Sequence, residues 1–299
     1  MFTPPQAKKF FTVFRNSMRI GLINNYPNNY YSPSFGVNLQ SSKLKFKEDD
    51  FYVRIKGYGH HSGWAKKIRE TADNAVDYIR RICNFEETIR QVTNGVISAN
   101  KLISSDAEKQ KHTGILRTKR FGWNNKSCWN SSTGLITSYS KNPKNRYRSY
   151  ADRLDYTVQH PLKNPFRIEL TRPVHEKDFG KFLEHGNGKY INTAFDIIDR
   201  IYNKLYTNFI SEEVKKDSLT DVNTSIAEIR WILAHVTPWE RGSDAISNTF
   251  IRSLYKAMGI KTYPLKKGVS LDLEAYCTNL EDYKQNFSNY FTKKPKIID

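Results

Sequence analysis

The sequence predicts a mainly helical fold, a helical core lobe with a smaller mixed α/β lobe inserted into it. Three observations carry that expectation. Long apolar series with three- and four-residue spacing occupy both ends of the chain. The stretch Lys109–Pro173 has another texture, rich in glycine, proline, asparagine and short β-branched or aromatic runs. The segment from Ile226 to Tyr276 holds two helix-period runs around a short break, PWERGS.

Residues 1 to about 60 are rich in Asn, Tyr, Pro, Ser and Gly and read as an irregular arm, with strand character around Phe51–Ile55. From Trp64 to Asn84, Trp64, Ile68, Ala72, Ala75, Val76, Ile79 and Ile82 recur at helical spacing. Asn84 followed by Glu87 fits a capping box for a second helix bearing Ile89, Val92 and Val96. In the inserted lobe, LDYTVQ and PFRIELT read as strands and KNPKNR as a basic loop. Its basic residues (Arg117, Lys119, Arg120, Lys126, Lys141, Lys144, Arg146, Arg148) fit one face of a cleft, or an ordinary solvated surface. Asn187–Ile210 is helical, with Tyr190, Ala194, Ile197, Ile198, Ile201, Leu205 and Phe209 as a core stripe. The run Ile226–His235 is apolar in several directions, as in a central buried helix. Ala245–Met258 follows, with Gly259 as its C′ residue. Helices over Leu271–Leu280 and Leu280–Phe291 complete the chain.

Composition narrows the function classes. The chain has 299 residues, with 48 Lys+Arg against 30 Asp+Glu, a net charge of +18. That surplus suits an acidic partner such as nucleic acid, an anionic membrane or a polyphosphate ligand. The basic residues are scattered, which equally describes a basic surface with no dedicated partner. Cys83, Cys128 and Cys277 form no CxxC pair, so neither a zinc site nor a disulfide framework is expected. No apolar run approaches the roughly 20 residues of a membrane span, and the N-terminus lacks a signal-peptide apolar core. Phe2 stands where N-myristoylation needs glycine. No GxSxG, HExxH, Walker A or GxGxxG pattern occurs, and His60–His61 has no third metal ligand at useful spacing.

Three motifs carry candidate chemistry. A helix that stops at Pro238 and restarts near Ser243 presents free N–H groups and a positive dipole end beside Arg241. That fits a phosphate or other anion. The same spacing fits a plain helix–turn–helix with Arg241 paired to Glu240 or Asp244. His185 lies in EHGNGK directly before a helix that Asn187 can cap, and fits either a structural turn or a hydrogen bond to a nucleotide. Asp272, in VSLDLEA at a helix start, fits a dipole partner, or a carboxylate that binds a hydroxyl or acts as a base.

In order, these pieces resemble the AvrB family of bacterial type III effectors, within the Fic/Doc/AvrB (Fido) superfamily. The C-terminal third carries most of it: Pro238, Arg241, Gly242 and Ser243, then the helix ending at Gly259–Ile260, the turn PLKKG and the start VSLDLEA. Upstream, FEET (Phe85–Thr88), HTGIL (His112–Leu116), PFRIELT and EHGNGKY fit the same order. The likeness runs from about Trp64 to Phe291, and the first 60 residues match poorly.

The resemblance implies a two-lobed domain over residues 61–299. Its core lobe would span about 61–108 and 181–299, its upper lobe about 109–180, with a nucleotide cleft between. Carried over by position, the binding residues are Thr113, His185, Arg241 and Asp272, with Arg241 and Asp272 catalytic and no metal. The implied activity is transfer of a rhamnose-like deoxyhexose from a dTDP- or UDP-sugar to a Ser or Thr hydroxyl of a host protein, releasing a nucleoside diphosphate. The implied setting is the host cytoplasm after specialised secretion, with no specific nucleic-acid partner and no support for membrane anchoring. AMP or phosphoryl transfer on the same cleft, and non-enzymatic binding by a basic protein, are the alternatives. Laid on the Fic pattern HPFxEGNGR, the break puts Thr237 in place of the histidine, and His235 falls about half a turn earlier.

Overall fold

The computed structural model describes residues 44–54, 61–103, 107–117, 150–176, 180–210 and 214–298. The chain divides into two compact units, Met1–Ser34 and Phe35–Asp299. The first lies outside the described residues, and the described helices and strands all belong to the second. Among the described residues the fold is mainly helical. The helices are α1 (Ser62–Arg81), α2 (Phe85–Asn100), α3 (Ala107–His112), α4 (Ala151–Gln159), α5 (Ile191–Leu205), α6 (Leu219–Val236), α7 (Ser243–Ala257), α8 (Leu271–Cys277) and α9 (Leu280–Asn286). Two small antiparallel pairs join β1 (Arg172–Glu176) to β2 (Gly180–Glu184) and β3 (Ile260–Lys261) to β4 (Lys296–Ile297).

α1 buries Ala65, Ile68, Ala72, Ala75, Val76 and Ile79 as its periodicity requires, while Ile82 lies beyond its end and is exposed. Asn84 caps α2 by accepting the Glu87 N–H at 2.8 Å. α6 is the centre. It packs against α5, α7, α8 and α9, and it is buried continuously from Ile229 to Val236. That explains its all-round apolar sequence. Phe85, Tyr202 and Phe250 fill the space between α2, α5 and α7. Gly259 takes a left-handed φ of 73°, as the C′ position after α7 predicts.

Three strand expectations are corrected. Phe51 closes a 3-10 turn, Glu48–Phe51, whose Asp50 carboxylate accepts the Lys47 N–H at 2.7 Å, and Tyr52–Arg54 continue as coil. LDYTVQ is helical and belongs to α4. Tyr150, Leu154 and Thr157 are buried at helical spacing, and Thr157 Oγ1 donates to the Arg153 carbonyl one turn back. Burying that one face outweighs the β-preference of Tyr, Thr and Val. PFRIELT precedes β1 without pairing to a strand. Asn164 Oδ1 accepts the Phe166 N–H and Arg167 sits at a φ of 55°, so the chain turns where a strand would extend. Thr171 then donates its N–H to the His235 carbonyl at the end of α6. KNPKNR, Lys119, Arg120, Lys126, Lys141, Lys144, Arg146, Arg148, Cys128, Ile55 and His60 lie outside the described residues. Arg117, grouped with a basic cleft face, is instead buried.

Candidate functional site

The site is built on the break between α6 and α7. Thr237 ends α6 in the left-handed region at a φ of 42°, and Pro238 cannot donate, so the helix stops. The next residues run extended against the segment after α3. The Gly114 N–H donates to the Arg241 carbonyl at 3.0 Å, the Glu240 N–H to Ile115 at 2.8 Å and the Arg117 N–H to Pro238 at 2.8 Å. Thr113 and Arg241 are thereby bridged in parallel, and Leu116 and Trp239 antiparallel. Gly242 turns at a φ of 86°, and α7 restarts at Ser243 with no side-chain cap at its N-terminus. Glu240 is occupied by His112, whose Nδ1 lies 2.5 Å from its Oε2. Asp244 is occupied by Arg230.

Arg117 ties three segments together. Its Nε donates to the Thr237 carbonyl at 2.7 Å, and its Nη2 to Gly186 at 2.7 Å and Val236 at 2.6 Å. Two of these are end-of-helix carbonyls, which a guanidinium satisfies well. The same contacts pull the HGNG turn against the break. A Cβ on Gly186 would collide with the Glu169 carbonyl, so the turn's glycine is required by close backbone approach.

His185 is buried, with Nδ1 3.1 Å from Thr171 Oγ1 and 3.3 Å from Thr237 Oγ1. Both hydroxyls already donate elsewhere, Thr171 to the His235 carbonyl at 2.6 Å and Thr237 to Ala234 at 2.7 Å. Nδ1 must therefore carry the hydrogen, which leaves Nε2 with its lone pair. Burial, reinforced by Arg117 and His235, pushes the His185 pKa down to about 3, so the ring is neutral at physiological pH. His235 is fully buried with Nε2 3.0 Å from the Ala275 carbonyl, and burial lowers its pKa to about 4. It is a structural tie between α6 and α8.

Asp272 stands at the first turn of α8. Arg230, fully buried on α6, reaches Asp272 Oδ1 and Asp244 Oδ1 with the same Nη2, each at 2.6 Å. Its Nε donates to Asn248 Oδ1 at 3.0 Å, and Asn248 Nδ2 donates to Asp244 Oδ1 at 3.0 Å. The two aspartate side chains keep 32% and 20% exposure, so the pair opens outward from a buried cation. Burial first, then the Asp272 charge, raises the Asp244 pKa to about 7. The Asp272 charge beside it disfavours ionisation of Asp244, while Arg230 pulls the other way.

Thr113 and Arg241 are thus neighbours through backbone pairing, His185 touches Thr237 inside the break, and Asp272 joins the first turn of α7 through Arg230. Sequence reasoning missed the ties of Arg117 and Thr171 on the His185 side of the break, and those of Arg230 and Asp244 to Asp272. One signal was present, an arginine inside the apolar run IRWILA. Among the described residues no group of three His, Cys, Asp or Glu is placed to hold a metal.

These features define a class: a mainly helical domain organised around a broken helix, with an arginine–aspartate network and a neutral histidine at the break. The AvrB/AvrC family, described as avirulence protein, matches residues 123–294. That is more than half of the chain, and the chain belongs to this family of effectors. Avirulence protein B of Pseudomonas savastanoi pv. glycinea is 29% identical over 105 residues, covering 35% of this chain and 30% of that protein. The matched part therefore spans less than a third of that relative.

Proposed function

We propose that this chain is a glycosyltransferase effector that moves a rhamnose-like deoxyhexose from a dTDP- or UDP-sugar to a Ser or Thr hydroxyl of a host protein. The setting would be the host cytoplasm, reached by specialised secretion. The donor would lie between a core lobe of about 61–108 and 181–299 and an upper lobe of about 109–180. Arg241 would hold the diphosphate and stabilise the charge that develops as the glycosidic C–O bond to phosphate breaks. Thr113, adjacent through the backbone bridge, would offer its hydroxyl to the same phosphates or to the sugar. His185, with its lone pair on Nε2, would accept a hydrogen bond from a ribose hydroxyl or base N–H. Asp272 would position the acceptor hydroxyl and accept its proton. No metal enters this scheme.

The observation that supports this most is the pairing of residues 113–117 with 238–241, which sets Arg241 and Thr113 together at the uncapped N-terminus of α7. Calorimetric titration with dTDP, UDP and their rhamnose conjugates tests it. Arg241→Ala should weaken binding by about tenfold or more, the scale of a charge-assisted hydrogen bond. A wild-type chain that binds none of these, or a variant that binds them equally well, overturns the reading. Fido-type AMP or phosphoryl transfer is the second reading. Thr237 stands at the register of the Fic histidine, and His235 is sealed between carbonyls, which speaks against a Fic-type histidine base at that position. Intact-mass analysis of a modified acceptor separates a deoxyhexose from a nucleotide. A non-enzymatic binder of polyanions would instead tolerate Arg241→Ala and lose its ligand steeply with salt.

A further inference from the structure

The last forty residues carry a basic face away from the break. β3 and β4 place Lys261 directly opposite Lys296, and both are exposed. Like charges in that position weaken a strand pair. Lys261 and Lys293 converge further, with their Nζ atoms 5.5 Å and 5.9 Å from the centroid of the Tyr263 ring. The Lys266 N–H donates to Tyr290 at 2.9 Å and the Thr292 N–H to Pro264 at 2.8 Å, so the Pro264–Gly268 turn lies beside the same segment. Lys266, Lys267 and Lys294, all exposed, lie on this adjoining backbone. None of these six lysines is ion-paired to a described carboxylate. Arg54, whose carbonyl accepts the Gly268 N–H, is neutralised by Asp49.

We propose that this lysine face, centred on Lys261, Lys293 and Lys296 around Tyr263, is a peripheral docking surface for an anionic phospholipid bilayer. A cross-strand lysine pair is a local cost that a layer of phosphates offsets. All six cations are lysines, point charges that need no fixed partner geometry. That suits a fluid headgroup array better than base-edge reading, which relies on bidentate arginine. Tyr263, half-buried between two ammonium groups, and the part-exposed Ile297 and Ile298 give the face an amphipathic edge suited to the headgroup region. The contact acts through charge and is independent of the reading of the break.

The test is flotation of the full chain with neutral phosphatidylcholine vesicles and with vesicles containing about one-third phosphatidylserine. The wild type should float with the anionic vesicles alone, and less so as salt rises. Lys261→Glu/Lys293→Glu/Lys296→Glu should reduce the bound fraction by about tenfold or more, and the same positions changed to Arg should retain it. Reversal of the exposed Lys163, Lys215 and Lys216 should leave binding unchanged. Equal binding to neutral vesicles, or equal loss in this control triple, overturns the proposal. So does tight binding of single-stranded RNA that the first triple abolishes while vesicle binding persists. If the Glu triple fails to melt cooperatively, the Gln triple takes its place with the same expected loss.

Discussion

Arg230 sets the chemistry of the break from beneath. It is fully buried, and one of its nitrogens serves two carboxylates. Arg230→Met should destabilise the fold by about 3–5 kcal/mol, because Asp244 and Asp272 would face each other without their cation. Urea unfolding measures this. The buried groups around the break also leave a pH signature. His185 and His235 are held near 3 and 4 against an ordinary 6.5, so between those values the unfolded chain binds more protons. Their contribution to stability is therefore lost as pH falls from 6.5. Asp244 acts oppositely. With its pKa raised from 3.8 to about 7, the folded state binds the extra proton, and stability falls as pH rises through that window. Asp244→Asn removes this opposing slope, so stability should rise more steeply with pH between about 4 and 6.5 than in the wild type. Parallel curves from urea midpoints across that range would show that Asp244 does not hold the proton.

At the scale of elements, periodicity located α1, α2, α5, α6 and α7 because each buries one continuous face or, for α6, all of them. It misread α4, whose Tyr156, Thr157 and Val158 favour strands in isolation. Only the burial of Tyr150, Leu154 and Thr157 on one side makes that segment a helix. PFRIELT failed for another reason. Its Thr171 N–H goes to the end of α6, a partner remote in sequence, and its Phe166 N–H to the Asn164 side chain in a local turn. Close helix contact is equally invisible to propensity. A Cβ at Gly95 of α2 would clash with the Thr71 side chain of α1. Gly95→Ala should therefore destabilise by about 1–3 kcal/mol despite alanine's better helix propensity, a sign reversal readable by thermal melting.

Over the whole unit, a few long-range polar ties join segments that packing alone would leave loose. Glu274 of α8 accepts Tyr150 Oη at 2.9 Å and both terminal nitrogens of Arg153, at 3.0 Å and 2.9 Å. Those residues begin the α4 region, more than a hundred positions earlier. Glu274→Gln should cost about 2 kcal/mol, since it removes the charge from hydrogen bonds that depend on it. Hydrogen exchange should show the loss concentrated in α4 and α8. The sequence nominated the candidate residues but not the hydrogen bonds that connect them. Arg241, His185 and Asp272 stood out because glycine, proline and charge interrupt helical periodicity beside them, whereas Thr113 came only from the family resemblance. By itself the sequence determined the mainly helical class, the position of the broken helix and the membership of the effector family, since all three rest on local spacing and residue order. Only the tertiary structure decided that Thr113 pairs with Arg241, that His185 is neutral with its proton on Nδ1, and that Asp272 shares Arg230 with Asp244. Those outcomes depend on burial and on hydrogen-bond partners distant along the chain, and no local pattern of residues encodes them.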